Sequence, residues 1–277
     1  MQYKAVFIDM DGTLLDSHRR ISQVTKDSII AAQKHGAMIV INSGRLPLSI
    51  EHFLANNGLE IPYIALNGAY IYDTLNNTLV FKDAMDCRGC VEMLEKCNQL
   101  RVQSYWYTKD KMYTNNFLSN SKMIRPDMKQ LFFDTVMSLS GYLVKSKHLE
   151  DTIRSGKYEI LKGSVTCLDA SRMELLQKEF QVLGTSEVTA SSTSQLEFSA
   201  KGVLKGNAMK RVLCYYGIRP DESIAIGDQE NDISMIQQAG LGIAMGNAIE
   251  RVKILADFVT DTNNNDGVAK ALHKYIL

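Results

Sequence analysis

Two aspartates, Asp9 and Asp11, stand two positions apart where a short apolar run ends near the start of the sequence. Gly12 follows them and permits a tight backbone turn. Two carboxylates this close repel each other when both are charged and unpaired. A hard divalent cation removes that repulsion, and Mg²⁺ prefers carboxylate, carbonyl and water oxygens. Alone, however, such a pair is more often a capped strand end or a plain metal site, so it identifies no activity.

Polar residues of related kinds occur in three further segments. The segments are Asn42-Ser43-Gly44-Arg45, Lys205-Gly206 and Gly227-Asp228-Gln229-Glu230-Asn231-Asp232. Each follows a predicted strand or opens the helix beside one, and ligands of open parallel sheets bind at the edge where the strands end. Several acids and one lysine at that edge favour metal-assisted phosphoryl transfer. The cation and the lysine would neutralise the transferring group while one carboxylate attacks it.

Short apolar runs alternate with amphipathic stretches in both outer thirds of the sequence. The predicted strands are 5–8, 37–41, 63–66, 223–226, 241–244 and 258–260. The predicted helices are 22–35, 46–57, 203–216, 232–239, 248–255 and 267–276, with Ser22 as the N-cap of the first. Apolar strands that alternate with helices are typical of a parallel sheet covered on both faces. We therefore predict an α/β, Rossmann-like core.

The middle third of the sequence has another pattern. Residues 103–113 and 158–168 alternate in polarity, and helical stretches are predicted at 87–99 and 172–183. Strands and helices without βαβ regularity indicate an α+β module inserted into the core. We predict a core formed by residues 1–82 plus 189–277 and an inserted domain formed by residues 83–188.

Charge and hydropathy exclude several classes of protein. The chain of 277 residues has 31 basic and 31 acidic side chains, a balance that argues against a broad grip on nucleic acid. Tyr105-Trp106-Tyr107, near Lys109 and Lys111, leaves stacking on single-stranded nucleic acid as an alternative. No apolar stretch is long enough to span a membrane, and the N-terminus lacks the features of a signal peptide. We predict a cytoplasmic protein with reduced cysteines and a small anionic partner rather than nucleic acid or membrane.

In their order along the chain, the four polar segments resemble the four motifs of the haloacid dehalogenase superfamily. The matching residues are Asp9-x-Asp11-Gly12-Thr13-Leu14, Ser43-Gly44-Arg45, Lys205-Gly206 and Gly227-Asp228-x-x-Asn231-Asp232. A finer resemblance, to the Cof-type phosphatases, rests on Asn67-Gly68, Met245-Gly246-Asn247-Ala248 and Asp266-Gly267-Val268-Ala269. The resemblance covers both outer thirds. The middle third matches only in length and position, as the α+β cap domain of that subgroup.

The resemblance implies a role for each residue of these motifs. Asp9 would attack phosphorus and form an aspartyl-phosphate, while Asp11 would protonate the leaving oxygen and then deprotonate water. The implied phosphate-binding residues are Met10 through its backbone amide, Ser43, Gly44, Lys205 and Asn231. The implied Mg²⁺ ligands are Asp9, Asp11 through its carbonyl, Asp228 and Asp232, the last at or just outside the first shell.

Two residues remain open between substrate binding and a structural role. Arg45 would contact the substrate or brace the phosphate loop through a carboxylate. Asn67 would orient the substrate or occupy a left-handed turn.

The leading hypothesis is a Mg²⁺-dependent phosphatase that hydrolyses a small phosphorylated metabolite, either a sugar phosphate or a phosphorylated cofactor. A phosphomutase is the alternative within enzymes, because it would form the same aspartyl-phosphate and pass the phosphoryl group to a hydroxyl. A non-catalytic protein that binds phosphorylated metabolites is a third reading. The presence of both Asp9 and Asp11 disfavours it.

Overall fold

The computed structural model describes residues 2–115, 141, 143–146, 148–192 and 194–277. The chain divides into two compact units. The core unit comprises Met1–Arg45, Ser49–Lys82 and Val203–Leu277, and the inserted unit comprises Leu46–Leu48 and Asp83–Gly202. None of the helices in the described parts of the chain has the length and apolarity needed to span a bilayer.

The described residues form the following elements, numbered along the chain. The strands are β1 (Ala5–Ile8), β2 (Met38–Asn42), β3 (Tyr63–Ala65), β4 (Tyr70–Asp73), β5 (Thr78–Lys82), β6 (Gln103–Tyr107), β7 (Met112–Thr114), β8 (Leu143–Lys145), β9 (Lys162–Thr166), β10 (Ser186–Ser192), β11 (Gln195–Ala200), β12 (Ser223–Gly227), β13 (Leu241–Ala244) and β14 (Phe258–Val259). The α-helices are α1 (Gln23–Lys34), α2 (Pro47–Asn57), α3 (Cys87–Gln99), α4 (Leu149–Arg154), α5 (Ala170–Leu183), α6 (Lys205–Tyr215), α7 (Ile233–Ile236), α8 (Glu250–Leu255) and α9 (Gly267–Tyr275).

The core unit is built on an eight-stranded sheet in the order β14-β13-β12-β1-β2-β3-β4-β5. Strands β14 to β3 in this order are parallel, and β4 and β5 run antiparallel to their neighbours. All residues of β1 are buried, because β1 lies between β2 and β12 and its side chains pack on both faces. Phe7 joins Met209 and Leu213 of α6 in one apolar cluster. The predicted α/β core with a parallel sheet is confirmed.

Two details of the core unit differ from the sequence-based expectation. The hairpin formed by β4 and β5 was not predicted; it extends the sheet, and Tyr70 and Tyr72 contact the ring of Tyr63. The helix predicted at 232–239 is wrong in length. A 3₁₀ turn at Glu230–Asp232 precedes the short α7, which ends at Ile236.

The inserted unit contains a six-stranded sheet in the order β10-β11-β9-β6-β7-β8. The pairs are antiparallel except β7 with β8. On one face the ring of Phe198 lies 5.2 Å from both Trp106 and Phe180, edge to face. Any Cβ at Gly163 would overlap the Phe198 ring, so the sheet needs a glycine there. Trp106 is fully buried in this packing, so its ring is not available to stack on nucleic acid bases.

The predicted end of the inserted domain, residue 188, is wrong because it falls inside a strand. Val188 belongs to β10, where it pairs with Phe198 of β11. Strand β11 pairs in turn with β9, so both strands complete the sheet of the inserted unit. The unit therefore extends to Gly202. The stretch 186–192 is rich in serine and threonine and lacks the apolar run that marks the other strands.

A buried ion pair joins two strands of this sheet and gives a stability prediction. Lys162 Nζ of β9 lies 2.6 Å from Glu197 Oε1 of β11, and the side chains are only 3% and 11% exposed. Lys162→Met removes the ammonium that neutralises a buried carboxylate. We expect this change to lower the free energy of unfolding of the inserted unit by about 3–5 kcal/mol. Urea unfolding followed by the fluorescence of Trp106, the only tryptophan, measures the loss in this unit.

Two controls separate charge burial from other effects of this change. Adding Glu197→Leu to Lys162→Met removes the stranded charge and should restore most of the lost stability. Lys145→Met changes an exposed lysine of β8 and should alter stability by less than about 0.5 kcal/mol. A double variant as unstable as the single one would mean that the charge of Glu197 is not the cause.

Candidate active site

The chain turns sharply after β1 and leaves Asp9 at the end of the strand. The Asp9 N–H donates to the Ile226 carbonyl at 3.0 Å, which continues the pairing of β1 with β12. The Leu14 N–H then returns to the Asp9 carbonyl at 3.1 Å, and Gly12 adopts a φ of 83°. A Cβ at Gly12 would also overlap the Asp228 carboxylate. Glycine is therefore needed here both for its backbone conformation and for the close approach to Asp228.

Lys205, the first residue of α6, lies between two carboxylates. Its Nζ is 2.6 Å from Asp9 Oδ1 and 2.6 Å from Asp232 Oδ1, and the side chain is 1% exposed. Asn42, at the end of β2, donates from Nδ2 to the Lys205 carbonyl at 3.1 Å. The buried lysine is thus held at its backbone by Asn42 and at its ammonium by two acids.

The turn after β12 supplies the remaining carboxylates. Asp228 accepts a hydrogen bond from Thr13 Oγ1 at 2.9 Å. Asp232 is fully buried, and its Oδ2 accepts from the N–H groups of Asp228 and Gln229, both at 2.9 Å. Carboxylate oxygens of Asp9, Asp228 and Asp232 lie within 4.8 Å of one another. The structure therefore brings together acids from the first and last predicted motifs.

The electrostatics of this cluster favour a bound cation. Burial raises the pKa of Asp9 well above its usual value; the Lys205 ammonium opposes the shift, whereas the charges of Asp232 and Asp228 add to it. Burial, together with the charge of Asp232, raises the pKa of Asp228 to about 6. Burial alone would lower the pKa of Lys205, but the charges of Asp232 and Asp9 outweigh it and raise the pKa. Three acids against one ammonium, with oxygen donors only, form a set that fits Mg²⁺.

Asp11 lies outside this cluster of acids and pairs with Arg45. The guanidinium donates from Nε to Asp11 Oδ2 at 2.7 Å and from Nη2 to Asp11 Oδ1 at 2.6 Å. The side chain of Asp11 is 54% exposed. Burial would raise its pKa, but the hydrogen bonds and charge of Arg45 outweigh that effect and hold the pKa below its usual value. The sequence left two possible partners for Arg45, the substrate or a carboxylate, and the structure shows the contact with a carboxylate.

Ser43, Asn67 and Asn231 form a second part of the site. Ser43 is buried; its Oγ accepts from the Arg45 N–H at 3.2 Å, and its carbonyl accepts from the Asn67 N–H at 3.1 Å. Asn67 has φ 57° and ψ 22°, which is the left-handed conformation considered from the sequence. Asn231 Nδ2 donates to Asn67 Oδ1 at 3.3 Å. Gly44 lies between Ser43 and Arg45, and the side chain of Met10 is buried.

Several residues that organise the site were given no role from the sequence. Thr13 and Gln229 both contact the Asp228 carboxylate, and Asn42 holds the backbone of Lys205. Asn247 donates from Nδ2 to the Gly12 carbonyl at 2.8 Å. Asn42 carried a signal, because a polar amide that ends the apolar run of β2 must find buried hydrogen-bond partners. Asn247 stands in a segment used for the family resemblance, but its contact joins distant parts of the sequence, so no local pattern predicted its partner.

Comparison with known proteins identifies the family. A family model described as haloacid dehalogenase-like hydrolase matches residues 6–272. The chain belongs to this family. Within it, the chain is 32% identical over 275 residues to 5-amino-6-(5-phospho-D-ribitylamino)uracil phosphatase YcsE of Bacillus subtilis, covering 99% of this chain and 96% of that protein. It is 26% identical to pyridoxal phosphate phosphatase YbhA of Escherichia coli, covering 100% of both chains.

Solved structures agree with this assignment. A haloacid dehalogenase-like hydrolase from B. subtilis has a TM-score of 0.86 and 26% identity, covering 99% of this chain and 100% of that one. The subclass IIB sugar phosphatase BT4131 has a TM-score of 0.80 and 26% identity, with 99% and 100% covered. The predicted membership of the Cof-type phosphatases and the inserted cap domain are therefore confirmed, and the chain is an enzyme of the phosphatase class.

Proposed function

We propose that this member of the haloacid dehalogenase-like hydrolases hydrolyses phosphate monoesters of small metabolites, with Mg²⁺ as cofactor and Asp9 as nucleophile. The main support is the buried contact of Lys205 with Asp9, beside Asp228 and Asp232. A lysine held at a carboxylate in this way can neutralise a phosphoryl group that the carboxylate attacks. The whole length of the chain takes part in the similarity to named phosphatases.

Asp9, the Asp11 carbonyl and Asp228 are the residues that we assign to Mg²⁺. When bound, the cation neutralises negative charge on the transferring phosphoryl group. We propose that Asp232 does not bind Mg²⁺ directly and instead holds Lys205 and the Asp228 turn in place. Its Oδ1 already accepts from Lys205, and its Oδ2 accepts from two backbone N–H groups of the Asp228 turn.

The proposed reaction has two chemical steps. First, an Asp9 carboxylate oxygen attacks phosphorus, the bond to the leaving oxygen breaks, and Asp11 gives that oxygen a proton. Second, Asp11 takes a proton from water as the water attacks the aspartyl-phosphate and frees Asp9. Lys205, Ser43, Asn231 and the amides of Met10 and Gly44 hold the phosphoryl oxygens.

The contact of Arg45 with Asp11 adds a condition to this reaction. With its pKa lowered by Arg45, Asp11 is held in the ionised form, which can accept a proton only as a weak base. For the first step Asp11 must carry a proton, so Arg45 has to release at least one of its two hydrogen bonds. Arg45 is then free to contact the substrate, which unites the two roles weighed for this residue.

The substrate class comes from the named relatives. They act on a phosphoribitylamino-uracil, on pyridoxal phosphate and, for the solved subclass IIB protein, on sugar phosphates. These are small polar molecules that carry a phosphate monoester. We propose the same class for this chain, with a sugar phosphate or a phosphorylated cofactor as the physiological substrate.

A panel assay tests the proposal directly. Phosphate release is measured for p-nitrophenyl phosphate, a series of sugar phosphates, pyridoxal phosphate and flavin-pathway phosphates, each with Mg²⁺ and with a chelator. We expect release that requires Mg²⁺ and differs among the substrates. Release that persists in chelator would contradict the metal assignment. Conversion of one phosphorylated compound into another without free phosphate would replace hydrolysis by phosphomutase activity.

A further inference from the structure

Asparagine side chains hold the backbone of the loop that carries the nucleophile. Asn247 Nδ2 donates to the Gly12 carbonyl at 2.8 Å, and Asn263 Nδ2 donates to the Leu15 carbonyl at 2.8 Å. The Ser17 N–H donates to Asn264 Oδ1 at 3.0 Å. We call Asn247, Asn263 and Asn264 the asparagine brace. None of the three has a role in the reaction proposed above.

The asparagine brace is itself fixed at both ends. Asn247 follows β13, and its Oδ1 accepts from the Asn263 N–H at 2.9 Å, so two loops of the core unit are joined. The second loop ends at Asp266, whose Oδ1 accepts from the hydroxyls of Ser22 and Thr25 at the start of α1. The brace is therefore a connected set of contacts and not three separate surface hydrogen bonds.

The position of Gly12 matters because it lies against a proposed metal ligand. A Cβ at Gly12 would overlap the Asp228 carboxylate, so the Gly12 backbone and this carboxylate are in close contact. The loop of Asn247 also contacts the Asp228 turn, since the Ile249 N–H donates to the Asp228 carbonyl at 3.1 Å. One short loop thus holds the Gly12 peptide and the Asp228 turn together.

We propose that Asn247, supported by Asn263, is a positioning residue that fixes the Asp9–Asp11 loop relative to Asp228. This inference rests on the proposed function, because it assigns a purpose to Asn247 within that reaction. Asn247 touches neither the acids nor Lys205 through its side chain in the contacts described. It acts through the Gly12 carbonyl.

The expected effects separate positioning from general stability. Asn247 is exposed, so water can replace its hydrogen bond to Gly12, and the loss of such a bond changes stability only slightly. Catalysis is more sensitive, because a misplacement of about 1 Å can lower a rate about 10²-fold. Lys205, Ser43 and Asn231, which supply most of the proposed phosphate contacts, lie outside the loop that the brace holds. The change should therefore appear in kcat rather than in KM.

The experiment compares Asn247→Ala and Asn263→Ala with Asn265→Ala as the matched control. Asn265 is an exposed asparagine in the same loop, and its Nδ2 contacts Asp261 instead of the nucleophile loop. For Asn247→Ala we expect kcat with p-nitrophenyl phosphate to fall about 10- to 100-fold while KM stays within about twofold. Asn263→Ala should show a smaller fall, and Asn265→Ala none. Unchanged kcat in Asn247→Ala, or an equal loss in the control, overturns the proposal.

Amide hydrogen exchange provides a readout that does not need activity. The N–H groups of Leu14 and Leu15 donate to the carbonyls of Asp9 and Met10 within the nucleophile loop. Loss of the brace should speed their exchange about tenfold or more in Asn247→Ala, and Asn265→Ala should match the unmodified protein. If the unmodified protein proves inactive, the proposed function fails. Hydrogen exchange then tests the brace independently of catalysis. Equal exchange rates at Leu14 and Leu15 in Asn247→Ala and Asn265→Ala reject it.

Discussion

Asp9→Asn is expected to lower kcat for phosphate release by about 10⁴-fold or more, because the amide cannot act as the nucleophile. The amide has nearly the shape of the carboxylate, and its oxygen can still accept from Lys205. The variant should therefore lose the chemical step but keep its fold. Phosphate release with Mg²⁺, measured beside circular dichroism of the variant, tests both statements.

The same change should not destabilise the metal-free protein at pH 7. Burial raises the pKa of Asp9 well above its unfolded value of 3.8. For an acid with a raised pKa, the contribution to stability is present below the unfolded pKa and is lost as the pH rises towards the folded pKa. Ionised Asp9 is thus unfavourable at neutral pH in chelator. We expect Asp9→Asn to have a Tm equal to or above that of the unmodified protein.

The control for Asp9→Asn is Asp27→Asn, an exposed aspartate of α1. It should change neither kcat nor Tm. Phosphate release by Asp9→Asn within about tenfold of the unmodified rate would reject Asp9 as the nucleophile. A large fall in Tm for Asp9→Asn in chelator would reject the electrostatic account of the cluster.

Lys205→Met should lower both the activity and the stability of the protein. The variant lacks the ammonium proposed to neutralise the phosphoryl group, so we expect kcat/KM to fall about 10³-fold. It also leaves Asp9 and Asp232 without the Lys205 ammonium that lies 2.6 Å from each of them. Removing one partner of a buried ion pair costs about 3–5 kcal/mol, and we expect a loss of that size in chelator. Enzyme assays and calorimetric unfolding measure the two effects.

The pH and metal dependence of Lys205→Met follow from the same contacts. The pKa of Lys205 is raised above 10.5, so its contribution to stability is fully present below the unfolded pKa and is lost only at higher pH. At pH 7 the variant therefore loses the whole contribution. Added Mg²⁺ should recover part of the lost Tm, because it supplies positive charge to the same acids.

Lys210→Met is the matched control for this variant, since Lys210 is an exposed lysine of the same helix. It should leave activity and stability unchanged. If kcat/KM of Lys205→Met equals that of the unmodified protein, Lys205 is not the phosphate-binding lysine and the third motif has been assigned to the wrong residues. Asp9→Asn and Lys205→Met alter the same contact from its two sides, and we expect an unchanged or higher Tm in the first and a lower Tm in the second.

The core of the fold followed from the sequence because its strands are nearly all apolar. β1 and β13 match their predicted bounds, and Ser22 caps α1 by accepting from the Thr25 N–H. The four polar segments meet because each lies at the end of a parallel strand or opens a helix beside one. Spacing alone could predict this, since parallel strands end at the same edge of the sheet.

Other features depended on contacts that no local pattern carries. Hairpin β4–β5 joins the sheet through strands of mixed polarity, and β10 is a strand of serine and threonine that is ordered by pairing with β11. The pairing of Asp11 with Arg45 could be stated only as an alternative. The residue roles, including those of Asn231 and Asn67, stay predictions until variants are measured.

The order of strands in the core sheet has a consequence for synthesis on the ribosome. β1 emerges first, but it lies between β2 and β12, and β12 is made only after the whole inserted unit. At about 5–20 residues per second, roughly 200 residues take on the order of 10–40 s. The main segment of the inserted unit, Asp83–Gly202, carries all the strands of the unit's sheet and can complete that sheet during the delay. Until β12 is made, the edge of β1 that pairs with it stays unpaired. The nascent chain therefore presents an apolar strand edge of the kind that chaperones shield from aggregation.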